Sequence, residues 1–252
     1  MPNIQSVSDS IKTFKATSRL PSDDLIKYLR DTITAEDLDV ISHLPQGSEL
    51  WKKAREGRIT ASVSHQVLHY KNSKTCIDKI LGKGSPVNSV AIDHGHMYEP
   101  VARAQYTIIE KKNHKNFKVE EYGLIVDPHL PSLAASPDGI VSCACHGKKL
   151  IEIKCSYKHK DIHPHCIPET DSSYHVESVD GKFELKKKSP WYSQVQFQMG
   201  VINIKSCDLV LHTLKDIAII PIEFDQVAWE ELKDKALSIF TSKIVPQLME
   251  WA

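Results

Sequence analysis

No apolar run in this chain approaches the ~20 residues that a membrane-spanning helix requires, which argues against a membrane partner. The amino terminus, MPNIQSVSDSIKTFKATSRL, lacks the continuous apolar stretch of a secretory signal, so the chain reads as intracellular. Neither sign of charge is in excess. The 32 basic residues balance 32 acidic ones, so bulk charge does not announce a nucleic-acid binder. There is no internal repeat. Six cysteines without an export signal argue against a disulfide framework. Cys143, Cys145 and His146 stand close together, with Cys155, His163, His165 and Cys166 downstream. Such ligands suit zinc, but C-x-C-H is not the usual spacing and no second pair sits at a standard interval. Reduced, packed thiols are the better account.

What is present fits one sizeable core with extensions. The expected organisation is a partly helical N-terminal extension over residues 1–45 and a main domain over 46–252. Residues 1 to about 20 are polar and show no periodicity, and are expected to be poorly structured. SDDLIKYLRDTI then fits an amphipathic helix capped by Ser22, and AEDLDVISHL a second helix. SELWKKAREGR reads as a short helix ended by Gly57, and ITASVSHQVLHY as another that Thr60 or Ser62 could cap. The longest helical signal is SVAIDHGHMYEPVARAQYTIIEKK. Val101, Ala104, Tyr106, Ile108 and Ile109 form its expected buried face, and Pro100 its start or a kink.

The period then changes. FKVEEYGLIVD, LAASPDGIVSC, KKLIEIKCSY and GKFELKKK are strand-like, with turns expected at Asp138-Gly139 and His146-Gly147. Residues 159–180 are polar and turn-rich, an expected surface insertion. SPWYSQVQFQMGVINI is a helix opened by Ser189 and Pro190, followed by two apolar strands and a closing amphipathic helix. This order predicts a mixed sheet flanked by helices, an α/β or α+β sandwich.

The chemistry concentrates between Ser136 and Lys154. Side chains alternate along LIEIKC, so Glu152 and Lys154 share one face of a strand and Ile151 and Ile153 the other. A charged pair on an apolar strand is costly to bury without partners. Asp138 lies a hairpin away and can come beside Glu152, and Glu99 is a candidate third carboxylate. Converging carboxylates favour a hard cation such as Mg2+. Such an ion polarises a phosphodiester and acidifies water, while a lysine orients the attacking water or offsets phosphate charge. A lone E-x-K would equally be a surface salt bridge. The preceding P-D and the following Y-x-Q-x-Q make the combination more specific.

The segments WKKAREGRITAS, HGHMYEPVA, SPDGIV, LIEIKC and WYSQVQFQMG occur together in this order. In this the chain resembles the lambda-exonuclease-like (YqaJ-type) viral recombinase nucleases of the PD-(D/E)xK superfamily, over about residues 48 to 245. The resemblance implies a restriction-endonuclease-like α/β core with a central mixed sheet flanked by helices. It implies Mg2+-dependent hydrolysis of duplex DNA, Mn2+ being able to substitute, and 5′-to-3′ degradation from 5′-phosphorylated ends in recombination or repair. A homotrimer and a single-strand annealing partner are implied as well. Metal ligands would be Asp138, Glu152, the Ile153 carbonyl and Glu99, with Lys154 the catalytic lysine. Arg55, Ser62, Ser136 and Gln196 would surround the terminal phosphate, with Tyr192 at the substrate. The first ~45 residues and 159–180 depart from the phage pattern and look more like eukaryotic or large-virus members.

Competing accounts are a structure- or sequence-selective endonuclease on the same scaffold, and a catalytically silent DNA-binding accessory domain. Several features have ordinary explanations. Arg55 and Arg58 would serve as surface charges, and His94 and His96 as turn or surface histidines. The lysine clusters at 111–115, 148–149 and 186–188 would be solvated loops and strand ends.

Overall fold

The structure, a computed structural model, describes residues 6–17, 23–84 and 89–251. Helices α1 (Val7–Thr17), α2 (Asp23–Thr32), α3 (Ala35–Ser42) and α4 (Glu49–Arg55) come first. Strand β1 (Ile59–Thr60), short helices α5 (Ser64–Leu68) and α6 (Lys74–Ile80), and the long helix α7 (Val90–Glu110) follow. Next come β2 (Lys118–Glu120), β3 (Ile125–Val126), β4 (Leu133–Ala135), β5 (Gly139–Cys143) and β6 (Gly147–Cys155). A short helix α8 (Ile167–Thr170) and the hairpin β7 (Val176–Val179) and β8 (Lys182–Leu185) precede α9 (Pro190–Ile202). The chain closes with β9 (Ser206–His212), β10 (Ile217–Glu223), α10 (Gln226–Ile239) and α11 (Val245–Trp251).

The central sheet has the order β10-β9-β6-β5-β2, with β6 and β9 parallel and the other pairs antiparallel. The alternation expected for LIEIKC sorts its two faces. Ile151, Ile153, Val141 and Val210 pack with Ala102 and Tyr106 of α7, whereas Leu150, Leu209 and Leu211 pack with Val195 and Met199 of α9. A second small sheet, β1-β4-β3, lies beside it. The register matters for the site. Gly139 pairs with Ile151 at the start of β5, so from Glu152 onward β6 has a strand partner on the β9 side only. The open edge there is where Asp138 sits.

Several sequence expectations are corrected. Residues 7–17 are helical, and Val7, Ile11 and Phe14 are buried in the core beside Leu248 of α11. Their spacing of four and three is a helical period that the surrounding polar residues obscure. Ser22, the expected cap of α2, lies outside the described residues. FKVEEYGLIVD and LAASPDGIVSC each split into two strands that join different sheets, so Ser136-Pro137-Asp138 is a crossing between sheets. Asp138-Gly139 is therefore no turn. A Cβ on Gly139 would stand 2.9 Å from the Ile151 side chain, so glycine serves close approach. Residues 159–180 do not merely ride the surface: Ile167, Tyr174 and Val176 are buried under α9.

Helix α7 runs unbroken from its Ser89 cap through Pro100. Pro100 is exposed, and the carbonyl one turn earlier, which proline cannot pair, is on a face where water can satisfy it. The buried residues of α7 are His94, Ala102 and Tyr106. Of the five residues expected there only Tyr106 is buried, while Val101, Ile108 and Ile109 are exposed.

Gly123 fixes how the second sheet meets α3. Its N–H donates to Ser42 O at 2.7 Å, and a Cβ would lie 2.1 Å from the Leu44 carbonyl oxygen. Backbone cannot yield as a side-chain tip does. Gly123→Ala is expected to cost about 3 kcal/mol in chemical denaturation; a loss under about 0.5 kcal/mol would contradict this packing.

Candidate active site

Three of the predicted residues converge at the open end of β6. Glu152 is 2% exposed, and Lys154, two residues on and on the same face, places Nζ 2.6 Å from Glu152 Oε1. Asp138, just before β5, accepts the Ile153 N–H at 2.7 Å through Oδ2, the bond that the missing strand partner would otherwise receive. Burial, then the Glu152 and Glu99 carboxylates, push the Asp138 carboxyl well above its ordinary range, against the pull of Lys154 and the Ile153 N–H. Burial works against the Lys154 ammonium, but Glu152 and Asp138 outweigh it and hold it above the ordinary lysine value. Asp138 and Glu152 thus crowd two carboxyl groups around one lysine.

Helix α9 completes the setting through two of its three glutamines. Gln194 Nε2 donates to Glu152 Oε1 at 2.6 Å and Gln198 Nε2 to Glu152 Oε2 at 2.8 Å. Gln194 also accepts from Lys154 at 3.2 Å. These two are four apart and so share a helix face. Gln196 lies on the opposite side. It is fully buried, donates to Glu223 O at 2.9 Å and accepts from Asp225 N at 2.8 Å, tying α9 to the β10–α10 connection. Tyr192, one turn before Gln196, donates its hydroxyl to Asp225 at 2.8 Å. Neither joins the Glu152 group.

Glu99 approaches from α7. Its carboxylate meets the Arg103 guanidinium at 2.5 Å, and Arg103 also donates to the Asp138 carbonyl at 3.0 Å. Arg103, not singled out by the sequence, thus couples α7 to the strand crossing. Glu99, Arg103 and Asp138 line a cavity of about 860 Å³, together with Trp51 and Tyr122.

Arg55, Thr60 and Ser62 form a second group. The Arg55 guanidinium donates to Thr60 Oγ1 at 3.1 Å and Ser62 Oγ at 3.0 Å, and lies 4.2 Å from the Trp51 ring centroid. Burial lowers the Arg55 guanidinium to about 10, which leaves it charged at neutral pH. Neither hydroxyl caps a helix as expected. Thr60 holds the cap position of a 3-10 turn without a capping bond. The group opens on a cavity of about 580 Å³ that Lys52, Arg58 and Lys79 also line, against one acid, Glu56. Arg58 is no surface charge: it is buried and donates to the Pro131 and Ala54 carbonyls. Trp51 Nε1 donates to Ser136 Oγ at 3.1 Å. Ser136 is thereby linked to Arg55, and its carbonyl lies 3.5 Å from Gln198 Nε2.

Other candidates are engaged locally. Lys149 pairs with buried Asp208 at 3.0 Å, and Asp208 also accepts the Tyr106 hydroxyl at 2.7 Å. Lys187 meets Asp225 at 3.3 Å. His94 is buried rather than on the surface, its ring 4.5 Å from Tyr98 and 5.5 Å from Tyr157.

A family model of the YqaJ-like viral recombinase domain matches residues 50–205, more than half of the chain. The chain belongs to the YqaJ-like viral recombinase family. This YqaJ-like chain is 28% identical over 187 residues to an uncharacterized protein of Acanthamoeba polyphaga mimivirus, a match covering 69% of the chain. It spans only 30% of that relative's length. Among solved structures it is similar to an alkaline exonuclease from Laribacter hongkongensis, with a TM-score of 0.59 and 26% identity over 81% of this chain and 96% of that one. It is also similar to the shutoff and exonuclease protein of Kaposi's sarcoma-associated herpesvirus, with a TM-score of 0.58 over 96% of this chain and 81% of that one. At 12% identity the second likeness concerns the fold alone. The YqaJ-like chain has the expected PD-(D/E)xK-type α/β core, a central mixed sheet flanked by helices.

Proposed function

We propose that this chain is a Mg2+-dependent deoxyribonuclease that degrades duplex DNA 5′ to 3′ from phosphorylated ends in recombination or repair. The observation that carries it is Glu152: a buried carboxylate held by two amides and a lysine, with the Asp138 carboxylate crowded beside it. The donor set fits a hard cation, because oxygens predominate and the burial and carboxylate repulsion that raise Asp138 are what a bound dication offsets. Asp138, Glu152 and the Ile153 carbonyl would hold Mg2+, or Mn2+ in its place, with Glu99 as a further ligand, directly or through water. A strand residue directs its N–H and C=O to one edge. The Ile153 carbonyl therefore shares the edge on which its N–H meets Asp138.

Mg2+, when bound, supplies Lewis-acid polarisation of the scissile phosphate and acidification of water. Gln194 and Gln198 fix the Glu152 carboxylate so that its orientation does not depend on the substrate. Lys154, kept charged by its neighbours, orients the attacking water or offsets charge on the phosphate. Arg55, with Thr60, Ser62 and Ser136, would receive the terminal 5′-phosphate. A homotrimer and a single-strand annealing partner belong to the same proposal. The exposed stripe of Met97, Val101 and Ile108 on α7 is compatible with a contact between copies.

End-labelled linear duplex provides the test. With Mg2+, the 5′ label is expected to be released first and the 3′ label to persist in shortening strands; with EDTA both should remain intact. Undiminished cleavage in EDTA would remove the metal assignment. Comparable cleavage of covalently closed circles would move the chain to the endonuclease reading.

A further inference from the structure

The C-x-C-H turn has no partner in the sequence, and the fold supplies one. His114, four residues past the end of α7, meets the β5–β6 turn. Its Nδ1 lies 3.2 Å from His146 Nδ1 and 3.7 Å from Cys145 Sγ, and His146 Nδ1 lies 3.9 Å from Cys143 Sγ. All four ligand atoms fall within 4.8 Å of one another. Zinc bonds of about 2.3 Å to sulfur and 2.0–2.1 Å to nitrogen give tetrahedral edges of about 3.3 Å for N–N, 3.6 Å for N–S and 3.8 Å for S–S. The first two kinds of edge are close to those observed.

Two further features suit a metal rather than a chance cluster. Glu110 Oε2 meets His114 Nε2 at 3.1 Å, which places the proton on Nε2 and turns the Nδ1 lone pair into the cluster. Backbone N–H groups point at both sulfurs, His146 N at Cys143 Sγ (3.3 Å) and Lys115 N at Cys145 Sγ (3.4 Å), and would stabilise thiolates. With thiolate and imidazole ligands alone, the set selects zinc over Mg2+.

We infer that His114, Cys143, Cys145 and His146 form a structural zinc site, separate from the Glu152 group. The turn is at the other end of β6 from Glu152, roughly 20 Å away at about 3.3 Å per strand residue. Zinc there fastens the loop after α7 to the β5–β6 hairpin. Helix α7, which that loop follows, carries Glu99, while the hairpin carries Glu152 on β6 and is preceded directly by Asp138. Four protein ligands leave no open position, so the ion has a bracing role and no chemistry of its own.

The test is metal content of the full chain, purified without chelator after zinc-supplemented expression. About one zinc per chain is expected by inductively coupled plasma mass spectrometry, falling below about a tenth in Cys145→Ser and His114→Ala. Cys166→Ser, outside the cluster, should leave it unchanged. Should the variants fail to fold, Co2+ substitution in the unaltered chain still decides: thiolate-to-cobalt charge-transfer absorption and tetrahedral d–d bands are expected. Wild-type protein with only trace zinc and no such cobalt bands would overturn the site, as would full zinc retention in the Cys143→Ser/Cys145→Ser double variant. None of these readouts depends on DNA cleavage, so the nuclease proposal stands or falls apart from them.

Discussion

Lys154→Ala is expected to lower DNA cleavage by at least about 10²-fold, and Glu152→Gln and Asp138→Asn by about 10³-fold or more. The magnitudes differ because the roles do. Glu152 and Asp138 would hold the ion, whereas Lys154 would act on water or phosphate. Glu152→Gln preserves volume beside Gln194 and Gln198, so loss of activity there would report charge rather than packing. Lys154→Ala leaves the buried Glu152 carboxylate with fewer donors, and a destabilised fold could imitate a catalytic defect. Lys154→Gln restores a donor to Glu152 without the charge and should stay equally inactive. Calorimetry separates the roles further: Mn2+ binding should vanish in Asp138→Asn and persist in Lys154→Gln. Full activity in any of the three positions would remove that residue from the site.

Arg55→Ala should cost about 10- to 100-fold on 5′-phosphorylated duplex and under about 3-fold on 5′-hydroxyl duplex. The range follows from a charged hydrogen bond of about 1.5–3 kcal/mol and a tenfold change per 1.4 kcal/mol. A guanidinium holds two phosphate oxygens in one plane. Here it is kept in place by the Trp51 ring and by Thr60 and Ser62. Arg55→Lys keeps the charge but not the fork, and should recover only part of the preference. The ratio between the two substrates, measured in single-turnover digestion, is the deciding quantity. A loss equal on both ends would show that Arg55 supports the fold or general DNA affinity and does not read the terminus.

The Asp138, Glu152 and Lys154 arrangement was legible because it rests on strand alternation and one hairpin, both local rules. The resemblance points to Gln196, whereas helix geometry favours a different pair at Glu152. Residues four apart share a face, so Gln194 and Gln198 were the pair to test against Glu152. Hydroxyls favour the cap position, yet Arg55, the partner of Thr60, is available only once α4 and β1 are folded together. Arg103 lies outside the segments that carry the resemblance and Trp51 only opens one of them, and both gain meaning from contacts, with Asp138 and Ser136 respectively. His114 was missed for a similar reason. It precedes Cys143 by a stretch that includes β2, and only sheet pairing brings the two together. The buried face of α7 differs from the expected one because its longest apolar side chains point outward, while small Ala102 lets the helix approach the sheet.

The link from Arg55 through Trp51 and Ser136 to Gln198 and Glu152 has a kinetic corollary. Each of these residues lies on a helix, on strand β6 or on the crossing between the sheets, so with the roles proposed for Arg55 and Glu152 the gap between terminus and cut would act as a ruler built into the protein. The proposed stride along DNA would then be constant, yielding products of uniform length whatever the base composition. Trp51→Ala would loosen that gauge and broaden the product ladder before it abolished the reaction.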